Sequence, residues 1–320
     1  MKIGNIEIND KVVLAPMAGI TSSGYRRYYK NFGVSLSFSE MISDHGIIYQ
    51  NKETLSYLET KKDELPLGLQ LFGGDVQNMV KAAKIAAKTC PFFSFFDINA
   101  GCPMPKVTKT GAGSALLKNP KILAEMVREI KKETGYPVTV KIRLGWDNKS
   151  INFMEVISLL EDAGVDAISI HARTTKELYS GEPHYELLKD LRLKMKVPLI
   201  VSGNIFTLDD AIRALEITKA DAVMIARGSM GNPFLAKQID EYFKSGVRLP
   251  SPTIEDQKKY CIELAKYLIE EKGEEKAMRI YRAIAPKFFA GYKNSKEVRK
   301  DLAQNLVSLE YLQNTLKKLQ

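Results

Sequence analysis

The sequence predicts an α/β fold: a (β/α)8 TIM barrel with a C-terminal all-helical domain. Three observations predict it. Eight short apolar runs recur through the first three quarters of the chain, amphipathic stretches alternate with them, and after Gly246 only helical patterning remains. Runs that are apolar on both faces and alternate with helices mark parallel βαβ units. Eight such units over about 230 residues match a closed barrel. The alternative, an open doubly wound sheet, usually has fewer strands and often a first-turn GxGxxG, which is absent here.

The runs are VVLA (12–15), LSFS (36–39), LGLQL (67–71), FFDIN (95–99), VTVKI (138–142), AISIH (167–171), LIVS (199–202) and AVMIA (222–226). Between them, residues 75–88, 120–134, 151–164 and 207–218 carry apolar side chains at helical spacing. Thr207 is the expected N-cap of the last of these. RLPSPT (248–253) reads as a proline-bearing linker, and the pattern from Ile254 to Gln320 is helical. Residues 257–273 are amphipathic and end at a glycine. The expected division is therefore 1–245 for the barrel and 246–320 for the helical domain.

Composition narrows the class. With 320 residues, 45% apolar and 27% charged, the chain suits ordinary globular domains with real cores. No apolar run approaches the roughly 20 residues of a membrane span. The N-terminus lacks the charged-then-apolar pattern of a signal peptide, so a cytoplasmic protein without membrane association is expected. Cys90, Cys102 and Cys261 are odd in number and far apart, which fits neither a disulfide framework nor a zinc spacing. With three histidines and no HExxH motif, no metal is expected. The surplus of 47 Lys and Arg over 38 Asp and Glu suits a polyanionic partner without requiring one.

In a barrel of this type, chemistry sits at the C-terminal ends of the strands. There the sequence puts Pro16, Met17 and Ala18 after strand 1, Gln70 on strand 3, Asn99 on strand 4, and Lys141 and Arg143 on strand 5. His171 and Arg173 end strand 6, Ser202, Gly203 and Asn204 end strand 7, and Ala226, Arg227 and Gly228 end strand 8. Alone, Gln70 or Asn99 is as readily a loop cap, and His171 a satisfied core histidine. Lys141 is more telling, because a buried ammonium needs a partner and an anionic cofactor would serve. Gly203 and Gly228 allow backbone N–H groups to approach an anion, and this corner holds a phosphate in many barrels.

Seven segments, in order, carry a family resemblance: LAPMAGIT (14–21), LGLQLFG (67–73), DINAGCPMPKVTKTGAGSALL (97–117), VKIRLGWD (140–147), ISIHARTT (168–175), VSGNI (201–205) and MIARGSMGNPF (224–234). On these the chain resembles the bacterial, FMN-dependent tRNA-dihydrouridine synthases. It departs from their common pattern at Ser22, Ser202 and Asn204, and at Ala172 and Ala226, which stand where glycine is common. The resemblance implies an FMN-binding catalytic barrel over 1–245 and a helical tRNA-binding domain over 246–320. FMN contacts would come from Pro16, Met17 and Ala18, with Gln70 at the polar edge of the flavin and Lys141 at its N1–C2=O side. His171, Ser202, Gly203, Asn204, Ala226 and Arg227 would complete the ring-edge and phosphate site, and Asn99 and Arg143 would hold the flavin or the substrate uracil.

The implied reaction is NAD(P)H-driven reduction of the uridine 5,6-double bond in tRNA, formally an oxidoreductase acting on a CH–CH group with NAD(P)+ as acceptor. A hydride passes from FMN N5 to C6, and the family assigns the proton at C5 to Cys102. A thiol of ordinary pKa, about 8.5, stays mostly protonated at neutral pH and can serve. Cys90 and Cys261 read as small packed hydrophobes. The segment after Cys102, with Lys106, Lys109, Gly111 and Gly113, reads as a long loop able to close over a base.

A uracil in folded tRNA must leave its stack to enter such a mouth. Residues 276–300 hold eight Lys or Arg, one acid and four aromatics, a pattern suited to an RNA backbone. Arg279, Arg282, Lys287 and Lys293 are the expected contacts, while Phe288 and Phe289 read as core. A monomer is expected. Two alternatives differ in kind. An FMN-dependent small-molecule pyrimidine reductase of the dihydroorotate dehydrogenase type needs no basic tail. A non-catalytic RNA-binding protein needs no combination of Lys141, Gln70 and Cys102.

Overall fold

Residues 1–319 are described by the structure, a computed structural model. Gln320, the last residue of the expected helical domain, lies outside the described residues. The eight apolar runs form eight strands: β1 (Val12–Leu14), β2 (Leu36–Phe38), β3 (Leu67–Phe72), β4 (Phe95–Ala100), β5 (Val138–Arg143), β6 (Ala167–His171), β7 (Leu199–Ser202) and β8 (Ala222–Ile225). Each pairs in parallel with its neighbours, and the sheet closes because β8 pairs β1 (Val223 with Val12) and β2 pairs β3 (Phe38 with Gly68).

Side chains alternate in two directions. Val12, Leu14, Leu69, Phe96, Val140, Ile168 and Val201 point outward into the layer shared with the helices. Val13, Leu36, Phe38, Phe95, Ile200 and Met224 point into the barrel. Ile3 and Ile8 join this inner cluster from a small antiparallel hairpin, Lys2–Ile3 with Ile6–Glu7. Its turn residue Gly4 has φ +57, and a Cβ there would strike Pro137 at 2.5 Å, just before β5. The hairpin therefore plugs the end of the barrel remote from the strand C-termini. Two-residue strands carry no periodicity, so the sequence reading passes over it.

The predicted helical stretches appear at Val76–Thr89, Pro120–Thr134, Phe153–Asp162 and Leu208–Thr218. Thr207 caps the last in a reciprocal capping box with Asp210. The segment after Cys102 is not the open loop expected. It folds into a turn of helix at Pro105–Thr108 and a 3-10 helix at Gly113–Lys118. Ser114 draws it back by donating its N–H (3.0 Å) and Oγ (2.9 Å) to the Cys102 carbonyl.

Residues beyond the linker form helices Ile254–Lys272, Glu274–Tyr281, Lys296–Asn305 and Leu309–Leu316. The first of these packs on the helix Ser23–Lys30, with Tyr28 against Tyr267 at 5.4 Å between centroids. The contact needs glycine at position 24, where a Cβ would lie 2.6 Å from the Tyr267 carbonyl oxygen. Glu271 accepts from the Gly24 N–H and from Ser22 Oγ, each at 2.7 Å, and so caps this helix from the other unit. Phe288, Phe289, Cys90 and Cys261 are all buried.

One buried ion pair ties the loop after β1 into this frame. Arg26 and Glu64 pair with side chains 4% and 0% exposed, and Arg26 Nη1 donates to the Thr21 carbonyl at 2.6 Å. Glu64 also accepts from Ser23 Oγ and the Lys61 N–H. Removing one partner of such a pair strands the other charge. Glu64→Ala is expected to lower the unfolding free energy by about 3–5 kcal/mol in urea denaturation. Asp63→Ala, which breaks the solvent-facing pair with Arg27, is expected to lower it by about 0–1 kcal/mol.

Candidate active site

The C-terminal ends of the strands surround a cavity of about 430 Å³. Its lining brings together Pro16, Met17, Ala18, Gln70, Asn99, Cys102, Lys141, Arg143, His171, Ser202, Gly203, Asn204, Ala226 and Arg227. Closure of the barrel does this. Strand register sets Gln70 beside Asp97, Asn99 beside Lys141, Lys141 beside Ser169, and His171 between Arg143 and Ser202. Alternation then turns these side chains to the same inner face.

On the β3–β4 side the polar groups hold one another. Gln70 Nε2 donates to Asp97 at 2.6 Å, and Asn99 Nδ2 donates to Gln70 Oε1 at 2.8 Å. Asn99 Oδ1 accepts the N–H groups of Gly101 (3.1 Å) and Cys102 (2.8 Å). Arg143 is spent in the same manner: Nε donates to the Gly101 carbonyl, and Nη1 to those of Thr174 and Leu178, at 2.7–2.8 Å. Asn99 and Arg143 thus first of all hold the loops that carry Cys102 and Tyr179.

The opposite side is a corner of unpaired donors. The N–H groups of Gly203, Asn204, Arg227 and Gly228 find no acceptor among the described residues, and Ser202 Oγ is buried without a partner. Gly203 (φ +137) and Asn204 (φ +45) turn the chain so that these N–H groups can converge. Arg227 stands beside them, bonded to Asn204 Oδ1 at 3.0 Å and held between the rings of Tyr179 and Phe206. Such a corner fits a phosphate.

Burial and charge set the protonation states. The Lys141 ammonium makes no ion pair or hydrogen bond among the described residues; burial, reinforced by Arg143, pushes its pKa down to about 8. His171 is held well below its usual range by burial and by the cations Arg143, Lys141, Arg173 and Arg227, so its ring is neutral. Burial pushes the Cys102 thiol up, against the Met104 N–H and the charges of Arg143 and Lys141. It also lifts the Asp97 carboxyl to about 6, against its hydrogen bonds from Gln70 and Thr139.

Several lining residues escape the sequence reading. Met41, Tyr179 and Phe206 arrive from loops where no motif marks them, and Met104 lies within the segment 97–117 without being singled out. Asp97, inside β4 and beneath the lining, is passed over as well. Of the four tail cations, Arg279, Lys287 and Lys293 are exposed, whereas Arg282 is half-buried and donates Nε to the Leu306 carbonyl at 2.8 Å. None of the four lines the cavity. Lys287 packs its backbone on Gly231, in the loop after β8 whose residues Arg227 and Gly228 line the cavity. Among the described residues no cluster of metal-ligating side chains occurs, and no helix is long and apolar enough to cross a membrane.

A family model described as dihydrouridine synthase (Dus) matches residues 13–320. A probable tRNA-dihydrouridine synthase of Rickettsia bellii is 34% identical over 300 residues, covering 93% of this chain and 91% of that protein. tRNA-dihydrouridine synthase B of Pasteurella multocida is 32% identical over 316 residues, covering 97% and 95%. Among solved structures, histamine dehydrogenase from Rhizobium sp. 4-9 superposes with a TM-score of 0.60 at 15% identity, over 99% of this chain and 64% of that one. The 6-hydroxypseudooxynicotine amine oxidase of Pseudomonas geniculata superposes at 0.58 and 14% identity, over 83% and 52%. At these identities the similarity to the two structures is one of fold.

The unpaired ammonium has a measurable consequence. A base whose folded pKa is depressed contributes stability above its unfolded pKa and loses it as pH falls through the folded one. For Lys141 that window runs from 10.5 down to about 8. In protein stripped of small molecules, Lys141→Met is expected to raise the Tm at pH 7. It should also remove the part of the Tm gain that wild type shows on going from pH 8 to 10.5, both read by scanning calorimetry.

Proposed function

The chain belongs to the dihydrouridine synthase family, oxidoreductases acting on uridine in tRNA, and we propose that it reduces the 5,6-double bond of that base with FMN at the barrel mouth and NAD(P)H as reductant. The observation that carries the reading is a single cavity holding a half-buried lysine without a partner, a corner of unpaired N–H donors and a thiol that burial keeps protonated.

The residues present fit the cofactor. Its phosphate would lie on the N–H groups of Gly203, Asn204, Arg227 and Gly228 with Ser202 Oγ, the one buried hydroxyl there that lacks a partner. Pro16, Met17, Ala18 and Ala226 would supply wall, Gln70 would lie at the polar edge with its amide held by Asp97 and Asn99, and His171, neutral, would add a ring-edge contact without further charge. Lys141 would lie on the N1–C2=O side, where a cation favours the reduced form. When bound, FMN supplies a hydride from N5 to uracil C6.

Cys102 supplies the proton at C5. Its raised pKa keeps the thiol loaded at neutral pH, and Asn99 and Ser114 fix the backbone on both sides of it. Arg143 keeps Nη2 for the base. Residues 246–320 hold the RNA through Arg279, Lys287 and Lys293, with Arg282 bracing the helices, so that a flipped uridine enters the mouth. The protein acts as a cytoplasmic monomer.

Cys102→Ala is expected to leave reduction of the bound flavin by NADPH near wild type and to slow its reoxidation by unmodified tRNA about 10²–10⁴-fold, read anaerobically by stopped flow. Cys102→Ser should restore little, and Cys90→Ala and Cys261→Ala should alter neither step. Reoxidation by free uridine as fast as by transcript tRNA would favour a small-molecule reductase instead. For the RNA contact, replacing Arg279, Arg282, Lys287 and Lys293 together with alanine should weaken tRNA binding and flatten its salt dependence by at most about one slope unit per residue.

A further inference from the structure

Among the described residues Asp97 is the one fully buried carboxylate inside the barrel, and the chemistry above makes no use of it. It lies one layer beneath Asn99 and Lys141, opposite Thr139 on β5 and Gln70 on β3. We propose that Asp97 is a positioning residue for Cys102: through the amides of Gln70 and Asn99 it fixes the sense of the hydrogen bonds that hold the Cys102 backbone, and with it the thiol. The inference rests on the reading of Cys102 as proton donor only for its functional meaning; the placement can be tested without it.

The argument is one of donors and acceptors. An ionised carboxylate only accepts. Thr139 Oγ1 donates to Asp97 Oδ1 and Gln70 Nε2 to Asp97 Oδ2, each at 2.6 Å. Because Gln70 must turn its NH2 toward Asp97, its oxygen faces Asn99 and accepts from Nδ2 at 2.8 Å. Asn99 is thereby forced to present Oδ1 to the N–H groups of Gly101 and Cys102. Those N–H groups can only donate, so the relay has an acceptor-only end and a donor-only end joined by two amides. Each amide could face either way by shape alone. Only one sense satisfies both ends.

Take away the accepting end and the Gln70 NH2 is left buried without a partner. Gln70 relieves this by turning toward the cavity, Asn99 loses its donor target, and the Cys102 segment loses the bond that seats it. An asparagine at position 97 behaves differently. It can keep its oxygen toward Gln70 by donating Nδ2 to Thr139 Oγ1, so it preserves the relay while abolishing the charge.

The test compares Asp97→Leu with Asp97→Asn in the flavin-loaded protein, following iodoacetamide alkylation of Cys102 by mass spectrometry across pH. Asp97→Asn is expected to keep the raised midpoint of wild type. Asp97→Leu is expected to shift the midpoint toward that of a free thiol, about 8.5, and to slow reoxidation by tRNA by about tenfold. If Asp97→Leu does not fold, Asp97→Val replaces it: the smaller, β-branched side chain suits a strand interior and equally removes the acceptor. Asp97→Val should behave as Asp97→Leu, and Thr139→Val, which leaves the acceptor-only carboxylate in place, as wild type. A wild-type midpoint in Asp97→Leu, or in Asp97→Val where it stands in, overturns the proposal. So does a shifted midpoint in Asp97→Asn, which would assign the effect to charge. If instead Cys102→Ala retains tRNA-driven reoxidation, the proton-donor reading fails, while the alkylation comparison still decides whether Asp97 seats the thiol.

Discussion

Closing eight parallel strands turns every second side chain into one narrow space, and that constraint governs the rest of the molecule. Near the hairpin plug the space is filled by Phe38, Phe95, Ile200 and Met224. Toward the strand C-termini the same inner face carries Asp97, Thr139, Gln70, Asn99 and Lys141. Polar groups there have little water, so each must find a partner within the layer or face the cavity. Asp97, Thr139, Gln70 and Asn99 satisfy one another. Lys141, Ser202 Oγ and the N–H groups of the β7–β8 corner do not, and all of these line the same cavity or border it. The unsatisfied set is therefore the shape of what the site is built to receive.

What was legible in the sequence follows the same division. The barrel strands could be read because parallel strands buried on both faces leave continuous apolar runs, and the polar residues that end those runs mark the mouth. Lys141 stood out because an ammonium in such a run demands an explanation. Asp97 did not, since inside FFDIN it looks like one polar residue among several, and its partners lie 27 and 42 positions away. Tyr179 and Phe206 come from loops, and only the fold shows that they grip Arg227. Arg143 was legible as a site residue, but its bonds to three carbonyls were not, because loop backbones leave no pattern in sequence.

The helical unit is not merely tethered to the barrel. Glu271 caps the helix Ser23–Lys30, and Arg26 of that helix holds the Thr21 carbonyl. Thr21 Oγ1 accepts the Met17 N–H at 2.8 Å, and Met17 lines the cavity. A continuous run of hydrogen bonds thus joins the tail to the cavity wall. The tail's orientation and the mouth's shape are set by the same contacts, which suits a substrate too large for either unit alone.

One physical cause also sorts the two ionisable groups on which the proposed chemistry depends. Burial disfavours whichever form is charged, so it raises the Cys102 thiol and lowers the Lys141 ammonium. The thiol moves away from neutral pH and stays protonated. The ammonium moves toward it, yet with a pKa of about 8 it remains mostly charged. The same cavity thus holds a neutral acid and a cation at once, without a separate device for each. Had the two residues exchanged places, burial would push them the same way, but the cation would stand on the loop and the acid in the wall. It is β5, entering the barrel between Asn99 and Ser169, that gives the cation to the rigid side and leaves the acid to the segment that Asn99 and Ser114 hold in place.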